Sequence, residues 1–253
     1  VANAAGQPVI SAGLGKNVGG DSEDVVTIST VRKSIKSIAS AARKLKLPNL
    51  QLQLPSSEQV LTHDIVFPGF GNGFNFKSEN VPKIDQGHLI DQITRTVISA
   101  NYNFDQYFTL ETRQKKFYYL QQLALIPPVS TKDQTSLDRQ TIHRSVHLAE
   151  SENFAKELGS TRSDVANSDY ILKQCQLLAK EHSDVLKITI LDKKKLQAQG
   201  HNLILAVNQG STNPPYIVGI EYTPPSKQVE KDDKKKDAAL KPHVYIGKTL
   251  TFD

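Results

Sequence analysis

The period of the hydrophobic positions changes several times along this chain, and each change marks an expected element. Ile35, Ile38, Ala42 and Leu45 recur at helical spacing, which predicts a helix over 31–47. Leu50, Leu52 and Leu54 then alternate with glutamines until Pro55, the pattern of a strand. Val60-Leu61 and Ile65-Val66-Phe67 are shorter strand candidates, and residues 68–74 form a loop of glycines and aromatics. Leu89, Ile90, Ile93, Val97 and Ile98 place an amphipathic helix over 86–100. Residues 117–120 and 123–126 are β-prone and stop at Pro127-Pro128.

The polar stretch 129–140 reads as a link between two domains. Helical spacing resumes over 141–158, with Ile142, Val146, Ala149 and Leu158 inward and Gly159 as the stop. Ser168 is a candidate cap for a helix over 169–182 that carries Ile171, Leu172, Leu177 and Leu178. Residues 186–191 alternate as a strand, and 193–199 fit a short helix closed by Gly200. The unbroken apolar run 203–207 is expected as a buried strand, 216–222 as another, and 223–241 as a charged loop. A last apolar run, Val244-Tyr245-Ile246, is expected as a buried strand broken by Gly247. Helices and strands interleaved in this way predict an α/β fold.

At 253 residues the chain can bury one large or two ordinary cores, and 38% hydrophobic with 23% charged residues suits a soluble globular class. No apolar run approaches a membrane span, and the first residues lack the basic and apolar regions of an intact secretory signal. A single cysteine, Cys175, excludes an internal disulfide framework and reads as a small packing residue on a helix. Met is absent even at position 1, so a fragment or cleaved product is expected. The net charge of +5 permits acidic partners without demanding nucleic acid.

Few residues stand out chemically. The glycines of 13–20 match neither the Walker nor the dinucleotide spacing and read as a flexible turn. The basic face of 31–47 (Arg32, Lys33, Lys36, Arg43, Lys44, Lys46) could meet a polyanion, but a solvated outer helix face is its commoner meaning. His143 and His147 have the i, i+4 spacing of zinc ligands, but they lack the glutamate that metalloproteases place after the first histidine, and surface or packing histidines are the commoner meaning. Lys248 and Asp253 follow the last apolar run closely, where an amine and a carboxylate can hold a charged ligand or a metal. On spacing alone an ordinary surface pair is the commoner meaning.

The stretch from Gly247 to Asp253, Gly-Lys-Thr-Leu-Thr-Phe-Asp, resembles the start of the signature of the cytosolic leucyl aminopeptidase family, Gly-Lys-Gly-aliphatic-Thr-Phe-Asp. Two further stretches resemble that family in order and spacing. They are Tyr102–Tyr107, similar to its Tyr-x-Phe-Asp-x-Tyr run, and the Gly210-Ser211 turn followed by Pro214-Pro215 and Glu221-Tyr222. Departures are Thr249 in place of a glycine, which lets the backbone approach its surroundings less closely, and the absence of proline from 159–167. The charged loop is also longer than is usual in the family.

The resemblance implies a macro-like α/β domain over 1–140, with 128–140 as its linker, then the first part of an α/β metallopeptidase domain over 141–253, truncated. It implies a hydrolase that releases amino-terminal residues from peptides with two divalent ions, zinc or manganese. Lys248 is the amine ligand and Asp253 the bridging ligand by position. Catalytic residues are expected beyond Asp253, so this segment alone is expected to be inactive. A hexamer, a cytoplasmic location, peptide substrates, and no nucleic-acid or membrane partner follow as expectations. The alternative is a non-catalytic, aminopeptidase-like structural or assembly protein.

Overall fold

The computed structural model describes residues 9–12, 26–55, 60–61, 84–126, 132–225, 242–249 and 251. They form an α/β chain with two compact units, Val1–Gly159 and Ser160–Asp253. The expected strand at 65–67, the glycine–aromatic loop 68–74 and the glycine turn 13–20 lie outside the described residues, as does most of the charged loop.

In the first unit, β1 (Val26–Thr27) leads directly into α1 (Ile28–Lys44). Thr27 caps the helix by accepting a hydrogen bond from the Thr30 amide at 3.3 Å. Ile28, Val31, Ile35, Ala39 and Ala42 form its buried stripe. Leu45 was expected on that stripe but is exposed, because the helix ends one residue earlier and Lys46 turns the chain through a left-handed φ of 55°. The chain then enters β2 (Asn49–Gln53), whose leucines alternate inward as expected. β2 pairs in parallel with β4 (Gln122–Ile126), Leu50 opposite Leu123 and Leu52 opposite Leu125. β3 (Val60–Leu61) pairs in parallel with β1.

The connection between β2 and β4 carries α2 (Gln86–Asn101), capped by Asp85, whose carboxylate accepts from the His88 amide at 2.6 Å. Leu89, Ile90, Ile93 and Val97 of α2 join the stripe of α1 and the leucines of β2 in one core. A short α3 (Leu110–Lys116) is added that periodicity did not suggest. It buries no side chain, and it is held by its Thr109 cap with Glu111 in its first turn and three cations in its last. Residues 117–120, expected to be β-prone, have no regular secondary structure. The Asn101 side chain takes the place of a strand neighbour there, donating to the Leu120 carbonyl at 3.0 Å and accepting from its amide at 2.8 Å.

The helix after β4, α4 (Lys132–Ser160), corrects two expectations. Residues 132–140 are helical rather than a linker, since no glycine or proline occurs from 129 to 158 to break the helix. The inward face is as expected only in part: Ala149 is buried and Ile142 packs against the core, but Asp138 and Ser145 are buried while Val146 and Leu158 are only half-buried. α4 meets α2 through polar groups. Ser145 Oγ donates to Asp91 Oδ1 at 2.7 Å, Gln86 Nε2 to Asp138 Oδ2 at 2.8 Å, and Lys156 Nζ to Ser99 Oγ at 2.6 Å. Arg95 bridges Asp91 and Glu152. The expected domain boundary at 140/141 therefore lies inside a continuous helix, and the compact units divide at Gly159.

Tyr102, at the end of α2, donates its phenolic hydrogen to Glu157 Oε2 of α4 at 2.8 Å. Burial, this hydrogen bond and the Glu157 charge push the phenol up from 10 to about 12. The raised value means that this contribution to stability is complete below pH 10 and fades as the pH climbs toward 12. Spectrophotometric titration near 295 nm should find Tyr102 ionising last, and Glu157→Gln should lower its midpoint while the part due to burial remains. An unchanged titration in that variant would remove Glu157 as a cause.

Candidate functional site

The second unit begins with α5 (Ser168–Glu181), and its cap is Asn167, not the expected Ser168. Asn167 Oδ1 accepts from the Tyr170 amide at 3.1 Å. That leaves Ser168 Oγ to donate to the Pro214 carbonyl at 2.7 Å. A second tie comes from Tyr216, whose hydroxyl donates to Asp169 Oδ1 at 2.7 Å. The hydrogen bond to Asp169, together with burial and the Asp169 and Asp192 charges, raises the Tyr216 phenol above its usual range. Within the turn, Asn208 Nδ2 donates to the Asn213 carbonyl at 2.8 Å, and Pro215 is buried. The Gly-Ser…Pro-Pro stretch is thus pinned to the first turn of α5.

β5 (Leu186–Leu191) pairs antiparallel with β6 (Ile217–Tyr222), Ile188 opposite Ile220. Between them lie α6 (Lys193–Ala198), capped by Asp192 and anchored by the fully buried Leu196, and α7 (Asn202–Val207). Gly200 joins these helices at a left-handed φ of 73°. α7 overturns the strand expected over 203–207: Leu203 is 85% exposed and Val207 68%. Leucine and alanine favour a helix, and an apolar run this short does not separate helix from strand by periodicity. Leu177 and Leu178 of α5 are exposed as well, and Ala179 is that helix's buried residue. Cys175 is half-buried, and burial pushes its thiol up, so it stays a protonated packing group.

The structure does not assemble the expected pair of ligands. Residues 242–249 have no regular secondary structure and are all exposed, Tyr245 and Ile246 each by 94%. The buried strand expected at 244–246 is absent because, among the described residues, no strand lies beside it. Gly247 has ordinary backbone angles with open space around its α-carbon. Lys248 has no hydrogen bond or ion pair among the described residues, and Asp253 lies outside them. No three of His, Cys, Asp or Glu among the described residues stand where they could hold one ion. The residues present therefore do not by themselves fit a two-metal centre. His143 and His147 are exposed on α4, their ring centroids 4.6 Å apart.

A cleft that the hydrophobic pattern did not announce lies beside the amino end of α2, lined among others by Asp85, His88, Asp91, Arg95, Asp138 and Arg144. Its carboxylates are engaged: Asp85 caps α2, Asp91 and Asp138 serve the seam with α4. The Tyr102–Tyr107 stretch is likewise structural, since Tyr102 reaches Glu157 and Asp105 accepts from the Tyr119 hydroxyl at 2.8 Å. Arg43 of the basic helix donates to the Tyr118 and Ala100 carbonyls, so one cation of that face serves the fold.

Comparison with known proteins places this second unit. Residues 153–253 match the model of the cytosol aminopeptidase family, catalytic domain. The resemblance to the cytosol aminopeptidases is shown. A probable cytosol aminopeptidase of Acinetobacter baylyi is 31% identical over 154 residues, which is 61% of this chain and 28% of that protein. The cytosol aminopeptidase of Pseudomonas aeruginosa is 32% identical over 161 residues, 64% of this chain and 29% of that protein. The chain thus spans less than a third of the relatives' length. Among solved structures, a mutant of tomato leucine aminopeptidase aligns over 78% of this chain and 34% of that one, with a TM-score of 0.59 at 16% identity. The bottromycin maturation enzyme BotP in complex with Mn aligns over 79% and 34%, with a TM-score of 0.55 at 17% identity. These likenesses establish the α/β fold. No helix of the described residues is long and apolar enough to cross a membrane.

Asn167→Ala should remove the cap of α5 and lower unfolding stability by about 1 kcal/mol. Urea melts followed by circular dichroism check this, and the same loss on Ser168→Ala alone would return the capping role to Ser168.

Proposed function

We propose that the whole protein is a metal-dependent aminopeptidase that releases amino-terminal residues, of the leucyl type, from peptides. The observation that carries this is the match of residues 153–253 to the aminopeptidase catalytic domain, ending on Lys248 and Asp253 at the signature's positions. Cytosol aminopeptidase names among the relatives support the reaction class and a cytoplasmic site of action. A manganese complex of a structural neighbour supports a divalent ion, and two ions, zinc or manganese, belong to the proposal. Lys248 and Asp253 are the ligands assigned to this chain. Such ions supply an acidified water and a polarised carbonyl when bound. The described residues complete no ion site, so the remaining donors and the catalytic groups are assigned to sequence beyond Asp253. Assembly as a hexamer is part of the same reading.

Thr249, in place of the signature's glycine, favours a second reading, an aminopeptidase-like protein kept for assembly rather than catalysis. The purified 253-residue chain, given leucine p-nitroanilide and manganese, should show no turnover above buffer. Robust turnover would overturn the assignment of catalysis to sequence beyond Asp253. The longer gene product should turn the substrate over only with metal, and Lys248→Ala and Asp253→Ala should abolish this. If the longer product is folded and oligomeric but inert with either ion, the assembly reading replaces the peptidase.

A further inference from the structure

We propose that His143 and His147 form a two-imidazole clamp on α4 for a borderline divalent transition ion: copper(II), nickel(II) or zinc. Residues four apart on a helix stand one above the other, with β-carbons about 5–6 Å apart. Here the two rings lie at 4.6 Å between centroids and 76° between planes. Metal–imidazole bonds of about 2.0–2.1 Å bring two ring nitrogens onto one ion from that starting distance by small side-chain rotations.

The surroundings favour the clamp. His147 Nδ1 stands 3.6 Å from Glu150 Oε2, one turn on. At that distance the carboxylate is not hydrogen-bonded to the ring, and what it brings to the site is a nearby negative charge. Both histidines are exposed, so binding an ion costs no burial of charge. The helix beneath them is already fixed. Asp138, Ser145, Ala149, Glu152 and Lys156 face α2, and at about 100° per residue His143, His147 and Glu150 fall on the opposite side. Arg139, one turn before His143, and Arg144, between the histidines, oppose a cation, and Glu150 offsets part of that.

No third His, Cys, Asp or Glu among the described residues completes the site, so water fills the other positions. An open site of this kind exchanges its ion. Two imidazoles with water select along the ordinary affinity order, with copper(II) tightest and manganese far weaker. The clamp is independent of the aminopeptidase reading, whose ligands are Lys248 and Asp253.

Copper(II) sulfate titrated into the folded 253-residue chain tests this. The expected result is paramagnetic broadening centred on amides 139–151, an electron paramagnetic resonance spectrum of two equatorial nitrogens, and reversal by EDTA. His143→Ala and His147→Ala, each checked for unchanged circular dichroism, should each lose the two-nitrogen spectrum, and Glu150→Gln should weaken binding while keeping it. Broadening that spares 139–151, or a two-nitrogen spectrum that survives His143→Ala, overturns the proposal. So does a lack of any copper binding by the folded chain.

Discussion

The packing of α1 and α2 against a parallel strand pair is the constraint on which the first unit depends. Parallel strands such as β2 and β4 cannot be joined by a tight hairpin; the chain must cross over, and here the crossover carries α2. α1, which precedes β2, lies beside α2, and the two apolar stripes close over the strand leucines. Leu89, Ile90 and Ile93 are essentially out of water, and each contributes about 1.5–3 kcal/mol by area, an upper bound because unfolded chains are partly collapsed. Removing that layer would leave β2 and β4 as an isolated pair, which is marginal in water.

α4 joins the unit by a different physics. Its line toward α2 is mostly polar, with Asp138, Ser145, Glu152 and Lys156, and its apolar part is Ile142 and Ala149. Half-exposed ion pairs such as Arg95 with Asp91 and Glu152 contribute little net stability once side-chain ordering is counted. What they supply is register: a one-residue rotation of α4 would leave the Asp91 and Asp138 carboxylates against the wrong partners. The amino-terminal core thus sets stability, and the seam sets where the long helix lies.

This division explains what the residues made legible. α1, α2, β2, β4, β5 and β6 were readable because each repeats leucine, isoleucine or valine at one period, and β2 and β4 also end close to a proline. α4 was readable as a helix, and its apolar inward positions Ile142 and Ala149 with it, but not the polar positions Asp138 and Ser145, since periodicity seeks apolar stripes. Its start was missed because polar composition was taken for a linker although no breaker was present. The cap of α5 shifted by one residue because Asn167 and Ser168 both suit that position, and only the Pro214 carbonyl decides between them. In α7, five consecutive apolar residues fit either element, and neither length nor period separates the two. Lys248 and Asp253 owe their assignment to resemblance alone; no distance or burial among the described residues singles out Lys248.

Residues 242–249 show why a ligand's identity is less than a site. A lysine ligates a metal only as the neutral amine, a form favoured by burial and by the ion itself. The same burial is what an extended Val244-Tyr245-Ile246 run needs, since nearly all of its apolar surface now meets water. Pairing with a neighbouring strand would satisfy its backbone groups, bury those side chains and carry Lys248 to the end of a sheet in one step. On the proposed metal-site reading, covering this run and preparing the amine would be one event. Whatever surface covers that run also sets whether the amine beyond it can serve as a ligand.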